Sequence, residues 1–255
     1  MAIALRKPQE IEKLREANII VAEALELLRD NTKVGVSLKD LDAMAEDHIR
    51  SRGARPSFKG LYGFPNAVCC SLNEVIIHGI PTDYKLQEGD VIGYDIGTEL
   101  DGWYGDAAIT VPVGKVSTED EKLIACAKDT LEYAISIIES GMRFKELSAK
   151  IEAFIREQGF VPLSNFCGHG IGRKPHEEPE IPNYFNGSNP KQGPKIKNGM
   201  VFCLEPMICQ KEQEPKILDN KWDVVSVDGL RGSHYEHTVA IINNKAEILS
   251  VAKKG

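Results

Sequence analysis

An internal repeat is the strongest constraint on how this chain can fold. A shift of 106 positions aligns residues 35–56, GVSLKDLDAMAEDHIRSRGARP, with residues 141–162, GMRFKELSAKIEAFIREQGFVP, and nine of the 22 aligned positions carry the same residue type. Both copies have apolar residues at helical spacing, and a similar helical segment precedes each copy. The repeat predicts a single α+β domain, residues 1–255, with two pseudo-symmetric helix-helix-strand halves at about residues 1–115 and 116–255.

A strand-rich block follows each helical block. In the first block, a β-branched run leads to Asp95 and then, through an Asp-Gly pair, into a second run that contains Asp106. If this Asp-Gly pair lies at the centre of a hairpin turn, Asp95 faces Ala108. In the same register Asp106 faces Gly97, so both carboxylates are predicted to lie on one face of the sheet.

The second block repeats these acids. Glu205 corresponds to Asp95, and Glu236 corresponds to Asp106. Buried carboxylates on one face repel each other strongly, and a bound cation is the usual remedy. His169 lies between two glycines in the segment GHGIG, where a ligand can approach the backbone closely. Carboxylates with one imidazole suit divalent metal ions, so the pattern predicts metal-assisted hydrolysis.

The other histidines differ in their surroundings. His78 and His176 lie in the loop segments HGIP and PHEEP, which suit roles as substrate-facing acids or hydrogen-bond donors as well as they suit structural roles. His48 lies on a charged helix face and is interpreted as structural. His234 and His237 flank Glu236, and we expect both to point away from the face that carries it.

Composition excludes several classes of protein. The net charge of -7 comes with scattered basic residues, so we expect no nucleic-acid binding of its own and no membrane-surface role. No apolar run reaches the length of a spanning helix, and the first ten residues lack the order of a secretion signal, so a cytoplasmic protein is expected. Without a CxxC pair, a zinc finger is excluded and six reduced thiols are predicted: Cys69, Cys70, Cys126, Cys167, Cys203 and Cys209.

Six motifs carry a family resemblance that covers essentially the whole chain. In order they are NEVIIHGIP, the hairpin with its two aspartates, CGHGIG, HEEP, CLEPM and YEHTV. Together they resemble the methionine aminopeptidases, in particular the short type I class of bacteria. The resemblance implies the pita-bread fold, in which a curved antiparallel sheet is covered by two helix pairs. It also implies removal of the N-terminal methionine from nascent proteins.

The resemblance also implies a role for each site residue. Two divalent metal ions, Fe, Mn, Co or Zn, would be held by five ligands: Asp95, Asp106, His169, Glu205 and Glu236. In this arrangement Asp106 and Glu236 bridge the ions, and Glu205 is also the general base. His176 would stabilise the oxyanion, and His78 would contact the scissile amide or the next residue.

A methionine-sized substrate pocket is implied by the same resemblance. Its expected walls are Phe64, Cys69 and Trp222, since sulfur and aromatic edges suit a thioether. For the two aromatic residues, the sequence without the resemblance favours ordinary core packing. Leu61 and Pro175 depart from the aromatic residues that relatives often carry there. The run of residues 185–199 is predicted to be a polar surface loop.

Two other functions are compatible with the sequence. An aminopeptidase P or prolidase uses the same metal set to cleave before proline, although such relatives usually carry a sizeable additional domain. A non-catalytic pita-bread protein would bind RNA, ribosomes or other proteins, but such members have lost ligands that are all present here. The expected partners are nascent chains that begin with methionine and a small second residue, with the ribosome as a further partner. A monomer is expected.

Overall fold

The structure is a computed structural model that describes residues 3–185, 187, 189–212 and 214–252. Within these residues the helices are α1 (Pro8–Asn31), α2 (Leu38–Ser51), α3 (Thr118–Ile137) and α4 (Phe144–Glu157). The strands of the first part of the chain are β1 (Arg55–Pro56), β2 (Val68–Leu72), β3 (Val75–Ile77), β4 (Val91–Leu100) and β5 (Trp103–Pro112). The later strands are β6 (Val161–Pro162), β7 (Cys167–Gly170), β8 (Glu177–Pro182), β9 (Val201–Leu204), β10 (Met207–Cys209), β11 (Lys216–Ile217), β12 (Val224–Val225), β13 (Gly232–His234), β14 (Glu236–Ile242) and β15 (Lys245–Ile248).

Helices α2 and α4 correspond residue by residue across the repeat. Both are 14 residues long, and their first residues, Leu38 and Phe144, are 106 positions apart, which is the shift that aligns the two sequences. A glycine with positive φ precedes each helix, 91° at Gly35 and 102° at Gly141, because only a residue without a side chain adopts this conformation readily. The apolar faces match as well: Leu38, Leu41, Ala45 and Ile49 are buried in α2, and Phe144, Leu147, Ile151 and Ile155 are buried in α4.

A large antiparallel sheet forms the centre of the molecule. Its strand order is β1-β4-β5-β14-β9-β7-β8, with β2 also paired to β4 and β15 also paired to β14. The hairpin of β4 and β5 has the predicted register, because Asp95 pairs with Ala108 and Gly97 pairs with Asp106. The strand pair predicted in the second block is present too, as β9 beside β14.

Helix α1 covers one face of the β4–β5 hairpin. The Thr98 hydroxyl donates to the Ala17 carbonyl over 2.9 Å, and the Asp106 backbone N–H donates to the Asn18 side-chain oxygen over 3.2 Å. A Cβ at Gly105 would lie 2.9 Å from Asn18 N, so this glycine permits the close approach of helix and strand. Because side chains alternate along a strand, the aspartates at 95 and 106 face the opposite, open side of the sheet.

The buried carboxylate of Asp42 ties α2 to the start of β2. It accepts hydrogen bonds from the backbone N–H groups of Ala67 and Val68, both at 2.9 Å, and from the side-chain amide of Asn66 at 2.7 Å.

Replacing Asp42 by alanine leaves two buried N–H groups without acceptors, so we expect the free energy of unfolding to fall by about 3 kcal/mol in urea titrations. Asp47→Ala, at an exposed position of the same helix, is the control and is expected to change it by less than about 0.5 kcal/mol. Equal effects of the two substitutions would contradict this role.

The predicted surface loop is largely exposed. Residues 191–195 are exposed, whereas Ile196 is fully buried in the hydrophobic core that contains Phe144 of α4 and Phe202 of β9. The loop is therefore anchored near its end. Residues 186 and 188 lie outside the described residues. Among the described helices, none combines the length and the hydropathy that crossing a membrane requires.

Candidate metal centre and active site

The sheet aligns the predicted acids in a row across its open face. Asp95 on β4 pairs with Ala108 on β5, and Ala108 pairs with Glu236 on β14. Neighbouring strands are roughly 4.8 Å apart, so the two carboxylates lie on either side of the small Ala108 methyl group. Cys69 on β2 extends the row, since it pairs with Asp95. The small residue at the centre leaves room between the two acids.

The remaining two acids lie beside this row. Asp106 is two residues before Ala108 on β5 and therefore on the same face. Glu205 follows directly after β9, and the pairing of His237 with Leu204 places it next to Glu236. Four carboxylates from both strand blocks thus converge on one side of the sheet.

His169 on β7 completes the cluster. Its Nε2 atom lies 3.5 Å from Glu205 Oε1 and 3.9 Å from Asp106 Oδ2. Its Nδ1 atom lies 3.0 Å from the Gly170 carbonyl, so Nδ1 carries the proton and donates it. The unprotonated Nε2 therefore faces the carboxylates, which is the orientation of a histidine ligand whose other nitrogen is held by a backbone carbonyl.

The two glycines around His169 have a role that the sequence indicated only in part. A Cβ at Gly168 would lie 2.5 Å from the Cys203 carbonyl, and a Cβ at Gly170 would fall on the Glu178 carbonyl. These glycines admit the backbones of β9 and β8 to β7, which brings His169 within reach of the acids on the neighbouring strands. The sequence predicted the close approach of a ligand at these glycines, whereas the groups that approach them closely in the structure are the backbones of neighbouring strands.

The carboxylates fit a divalent cation because they lack other partners. Within the described part of the chain, one oxygen of each acid is fully buried without a hydrogen-bond partner: Asp95 Oδ1, Asp106 Oδ1, Glu205 Oε1 and Glu236 Oε1. Buried polar atoms are nearly always hydrogen-bonded, so four orphaned oxygens at one place require a different kind of partner. Oxygen donors together with one imidazole are the ligand set of divalent first-row metals.

Burial, together with repulsion among the acids, raises the pKa values of these carboxyl groups. Burial raises the pKa of Asp95 to about 7. Burial, and then the charges of Glu236 and Asp95, hold the pKa of Asp106 well above its usual value. The pKa values of Glu205 and Glu236 are also raised well above normal, first by burial and then by neighbouring acids of the cluster. Without a cation, the cluster therefore retains protons that ordinary carboxyl groups lose.

Cys203 is a neighbour of the metal cluster that the sequence did not identify. Its thiol and one ligand atom each from Asp106, His169 and Glu236 all lie within 4.8 Å of one another. The sequence predicted only a reduced thiol at this position, which is fully buried. The available signal was its position two residues before Glu205, which in extended chain places both side chains on one face.

The cluster forms one end of a cavity of about 510 Å³. His78 and His176 both line this cavity, with the His176 ring centre 4.4 Å from that of His169. The apolar wall contains Phe64 and Trp222 in an edge-to-face contact at 5.0 Å. The full wall that the sequence suggested is present in this cavity: Phe64, Cys69, Trp222 and, at the rim, Leu61.

The backbone at His78 has an unusual conformation. Its φ of 61° is in the left-handed region, which residues with a side chain adopt rarely and mostly at functional sites. A Cβ at the following Gly79 would fall on the Cys70 carbonyl, so this glycine is required for the turn. Burial, together with the charge of His176, lowers the pKa of His78 to about 4. The imidazole is therefore neutral at pH 7.

A network of contacts fixes the loop that carries His176. The Arg173 guanidinium lies 3.8 Å from the centre of the buried Trp103 ring, and the Arg173 backbone N–H donates to Glu177 Oε1 over 2.8 Å. Glu177 also pairs with Arg6, near the start of the chain. The His176 side chain reaches solvent at the cavity mouth, but packing around its ring partly desolvates it and lowers its pKa.

The expectation for His234 was wrong. Its side chain does not point away from the site: it lines the cavity, is only 4% exposed, and places Nε2 4.0 Å from Glu205 Oε2. Residues two apart on an extended chain share a face, so its spacing from Glu236 predicts this placement. His237, by contrast, has its Nδ1 2.7 Å from the Ser250 hydroxyl, and His48 lies 3.4 Å from Glu23, as expected for structural residues.

Comparisons with known proteins agree with this geometry. The sequence profile described as metallopeptidase family M24 matches residues 12–243. A methionine aminopeptidase of Helicobacter pylori is 64% identical over 251 residues, which are 98% of this chain and 99% of that protein. Methionine aminopeptidase 1 of Bacillus subtilis is 40% identical over 97% of this chain and 99% of its own length.

Solved structures give the same result for the fold. The crystal structure of a methionine aminopeptidase from Thermotoga maritima has a TM-score of 0.95 at 35% identity and covers 98% of this chain and 100% of its own. The prolidase from Pyrococcus furiosus shares the fold at a TM-score of 0.79 and 22% identity, over 98% of this chain and 66% of its own. The predicted pita-bread α+β fold is confirmed. The family match and the unpartnered carboxylates together support the use of divalent metal ions. This chain belongs to metallopeptidase family M24, among the methionine aminopeptidases.

Proposed function

We propose that this protein removes the N-terminal methionine from newly made proteins by hydrolysing their first peptide bond. The observation that carries the proposal is the group of four buried, unpartnered carboxylate oxygens with His169 Nε2 at one end of a cavity that has an apolar wall. Relatives named methionine aminopeptidase at 64% identity over the whole chain support it. The prolidase from Pyrococcus furiosus is 22% identical to this chain, and a likeness at this level extends to the fold alone.

The proposed metal centre contains two divalent ions. Asp106 on β5 and Glu236 on the neighbouring strand β14 would be shared between them. Asp95 would complete one coordination sphere, and His169 with Glu205 would complete the other. Such ions lower the pKa of water and polarise a carbonyl group when they are bound. The native metal is proposed to be one of Fe, Mn, Co and Zn.

The protein's own groups would then move and stabilise charge. Glu205 would accept the proton of the attacking water and pass it to the leaving amine. His176 would donate a hydrogen bond to the oxyanion, and His78 would donate one to the scissile amide or the next residue. A neutral imidazole has one N–H to donate, and burial keeps His78 neutral.

The apolar wall would bind the methionine side chain. Phe64 and Trp222 present aromatic edges, and Cys69 adds a polarisable sulfur, which suit the thioether of methionine. The substrates would be nascent chains with a small second residue.

We further propose that the protein is a cytoplasmic monomer that works near the ribosome. Its single domain would be built from two pseudo-symmetric halves, at about residues 1–115 and 116–255.

Alanine substitution of His78 or His176 separates turnover from metal binding. Because neither side chain belongs to the proposed ligand set, we expect each variant to lose about 10²-fold in kcat while its metal content is unchanged. Steady-state kinetics and metal analysis of the same samples check this. His48→Ala, at a half-buried histidine that contacts Glu23 and does not line the cavity, is the matched control and is expected to keep full turnover. Loss of metal from the His78 or His176 variant would refute this division of roles.

Peptide hydrolysis tests the proposed function as a whole. The protein, stripped of metal and then supplied with Mn(II), Fe(II), Co(II) or Zn(II), is incubated with Met-Ala-Ser and with Ala-Pro-Ser, and products are identified by mass spectrometry. Release of free methionine from Met-Ala-Ser, with Ala-Pro-Ser intact, is the expected result. Preferential cleavage before proline would favour the prolidase function. A metal-free, inactive protein would favour a binding role.

A further inference from the structure

His234 is a buried imidazole in the cavity that the proposed mechanism does not use. Its Nε2 atom is fully buried and has no hydrogen-bond partner within the described residues. Leaving a buried polar nitrogen unpaired costs about 1–3 kcal/mol, so buried polar groups rarely lack a partner. A partner for His234 Nε2 is therefore expected among the closest polar groups of the cavity.

The backbone of His234 is fixed from two sides. Its N–H donates to the Thr110 hydroxyl over 2.9 Å, and the same hydroxyl donates to the His234 carbonyl over 2.8 Å. On the other side it pairs with Met207 on β10. Because strands on both sides hold the residue, the ring has little freedom to turn away from the cavity.

The nearest acidic atom to this ring is one particular oxygen of Glu205. Glu205 Oε1 lies 3.5 Å from His169 Nε2, on the side of the metal cluster, whereas Oε2 lies 4.0 Å from His234 Nε2. The Glu205 backbone carbonyl is itself held by the Asn183 side-chain amide at 2.8 Å. The terminal carboxylate torsion is soft in glutamate, and shortening this distance from 4.0 Å to about 3 Å would make a hydrogen bond between Oε2 and His234.

We propose that His234 is a positioning residue that donates its Nε2–H to Glu205 Oε2 and so orients Oε1 toward the metal centre. This inference rests on the proposed function, in which Glu205 is both a metal ligand and the general base. Groups that orient a ligand in this way affect metal affinity or activity by about 10–100-fold when they are removed. The bond to Oε2 also holds the carboxylate that accepts the proton of water.

Three substitutions separate this role from simple packing. His234→Leu keeps the bulk of the side chain and removes the N–H. His234→Gln places an amide N–H at about the position of the ring Nε2, whereas His234→Asn ends one carbon short of it. For each variant, the Mn(II) dissociation constant is measured by calorimetry, kcat and KM are measured with Met-Ala-Ser, and thermal unfolding is followed.

The Leu and Asn variants are expected to lose about tenfold or more in Mn(II) affinity, in kcat or in both, with KM changed less than about threefold. His234→Gln is expected to restore the affected quantity to within about threefold of wild type, a rescue that a packing role does not predict. Losses below tenfold in both quantities, or a Gln variant as impaired as the Leu variant, would overturn the proposal. A wild-type protein that cleaves no peptide would refute the proposed function, while the Mn(II) measurements would still decide the role of His234.

Discussion

Replacing Asp106 by asparagine is expected to lower turnover by about 10³-fold or more and, at the same time, to stabilise the metal-free protein. Asparagine matches the shape of the side chain but is uncharged, so several kcal/mol of charge stabilisation is lost from the reaction. In the absence of metal, the same change removes one of four buried, mutually repelling carboxyl groups. We expect the free energy of unfolding at pH 7.5 to rise by about 1 kcal/mol or more.

A second buried aspartate provides the matched control. Asp90 is 6% exposed and accepts hydrogen bonds from the Asn73 side chain at 2.9 Å, the Gln87 backbone at 2.8 Å and the Tyr84 hydroxyl at 3.1 Å. Asp90→Asn disturbs a satisfied carboxylate and is expected to lower the free energy of unfolding by about 1–2 kcal/mol while metal affinity stays at the wild-type value.

In urea titrations with chelator present, we therefore expect Asp106→Asn to raise the free energy of unfolding and Asp90→Asn to lower it. Metal affinity, measured by calorimetry, should fall only for the Asp106 variant. If both asparagine variants destabilise the metal-free protein equally, Asp106 has protein partners of its own and the metal assignment of this cluster is wrong.

The metal-free protein is expected to lose stability as the pH rises from about 6.5 to 8. In the folded state the pKa of Asp95 is raised to about 7, and those of Asp106, Glu205 and Glu236 are raised well above their usual values. The folded state then holds protons that the unfolded state has released, so stability falls with rising pH through this range. While it stays protonated in the folded state, each such group lowers the free energy of unfolding by about 1.4 kcal/mol per pH unit, and Asp95 stops contributing above its pKa of about 7.

The buried histidines affect the stability of the metal-free protein mainly below about pH 6.5, so the loss of stability with rising pH is expected to start near that value. Burial lowers the pKa of His169 and His234 to about 3, and that of His78 and His237 to about 4. Their contribution has the opposite sign, since it is lost as the pH falls below the unfolded value of about 6.5. Above this pH they are neutral in both states, and the carboxyl groups alone determine the slope.

Urea titrations at pH 6.5, 7.2 and 8.0 measure this slope, with chelator and with excess Mn(II). Bound metal keeps the carboxylates ionised in the folded state, so the stabilising effect of Mn(II) is expected to grow with pH. The Asp106→Asn variant is expected to have a shallower slope than wild type when chelator is present. A metal-free protein whose stability is constant or rises over this range would contradict the raised pKa values.

The helix pairs and the first hairpin could be predicted from the sequence because their determinants are local. The bounds of α2 and α4 follow from a glycine turn and apolar residues at helical spacing, and these signals occur twice. The register of β4 and β5 follows from an Asp-Gly turn and the two-residue period of strands. The internal repeat indicated that Glu205 and Glu236 correspond to Asp95 and Asp106, and the family resemblance then assigned all five ligands to one metal centre.

Residues at the site that the sequence did not identify depend on contacts between distant segments. His234 is directed into the cavity by Thr110 and by β10, neither of which is near it in sequence. The anchoring of the His176 loop by Trp103 and Arg6 joins three distant segments. The spacing of His234 from Glu236 indicates which face it lies on, but its contacts in the cavity and the anchoring of the His176 loop depend on how distant segments pack together.

The most direct test of the account is the amount of methionine released from Met-Ala-Ser as a function of metal bound per protein. We expect no release from the metal-stripped protein, a rise as Mn(II) is added and a plateau once the cluster is filled. We expect no comparable rise for Asp106→Asn at the same total Mn(II). Release by the metal-stripped protein, or no release by the fully loaded one, would contradict it.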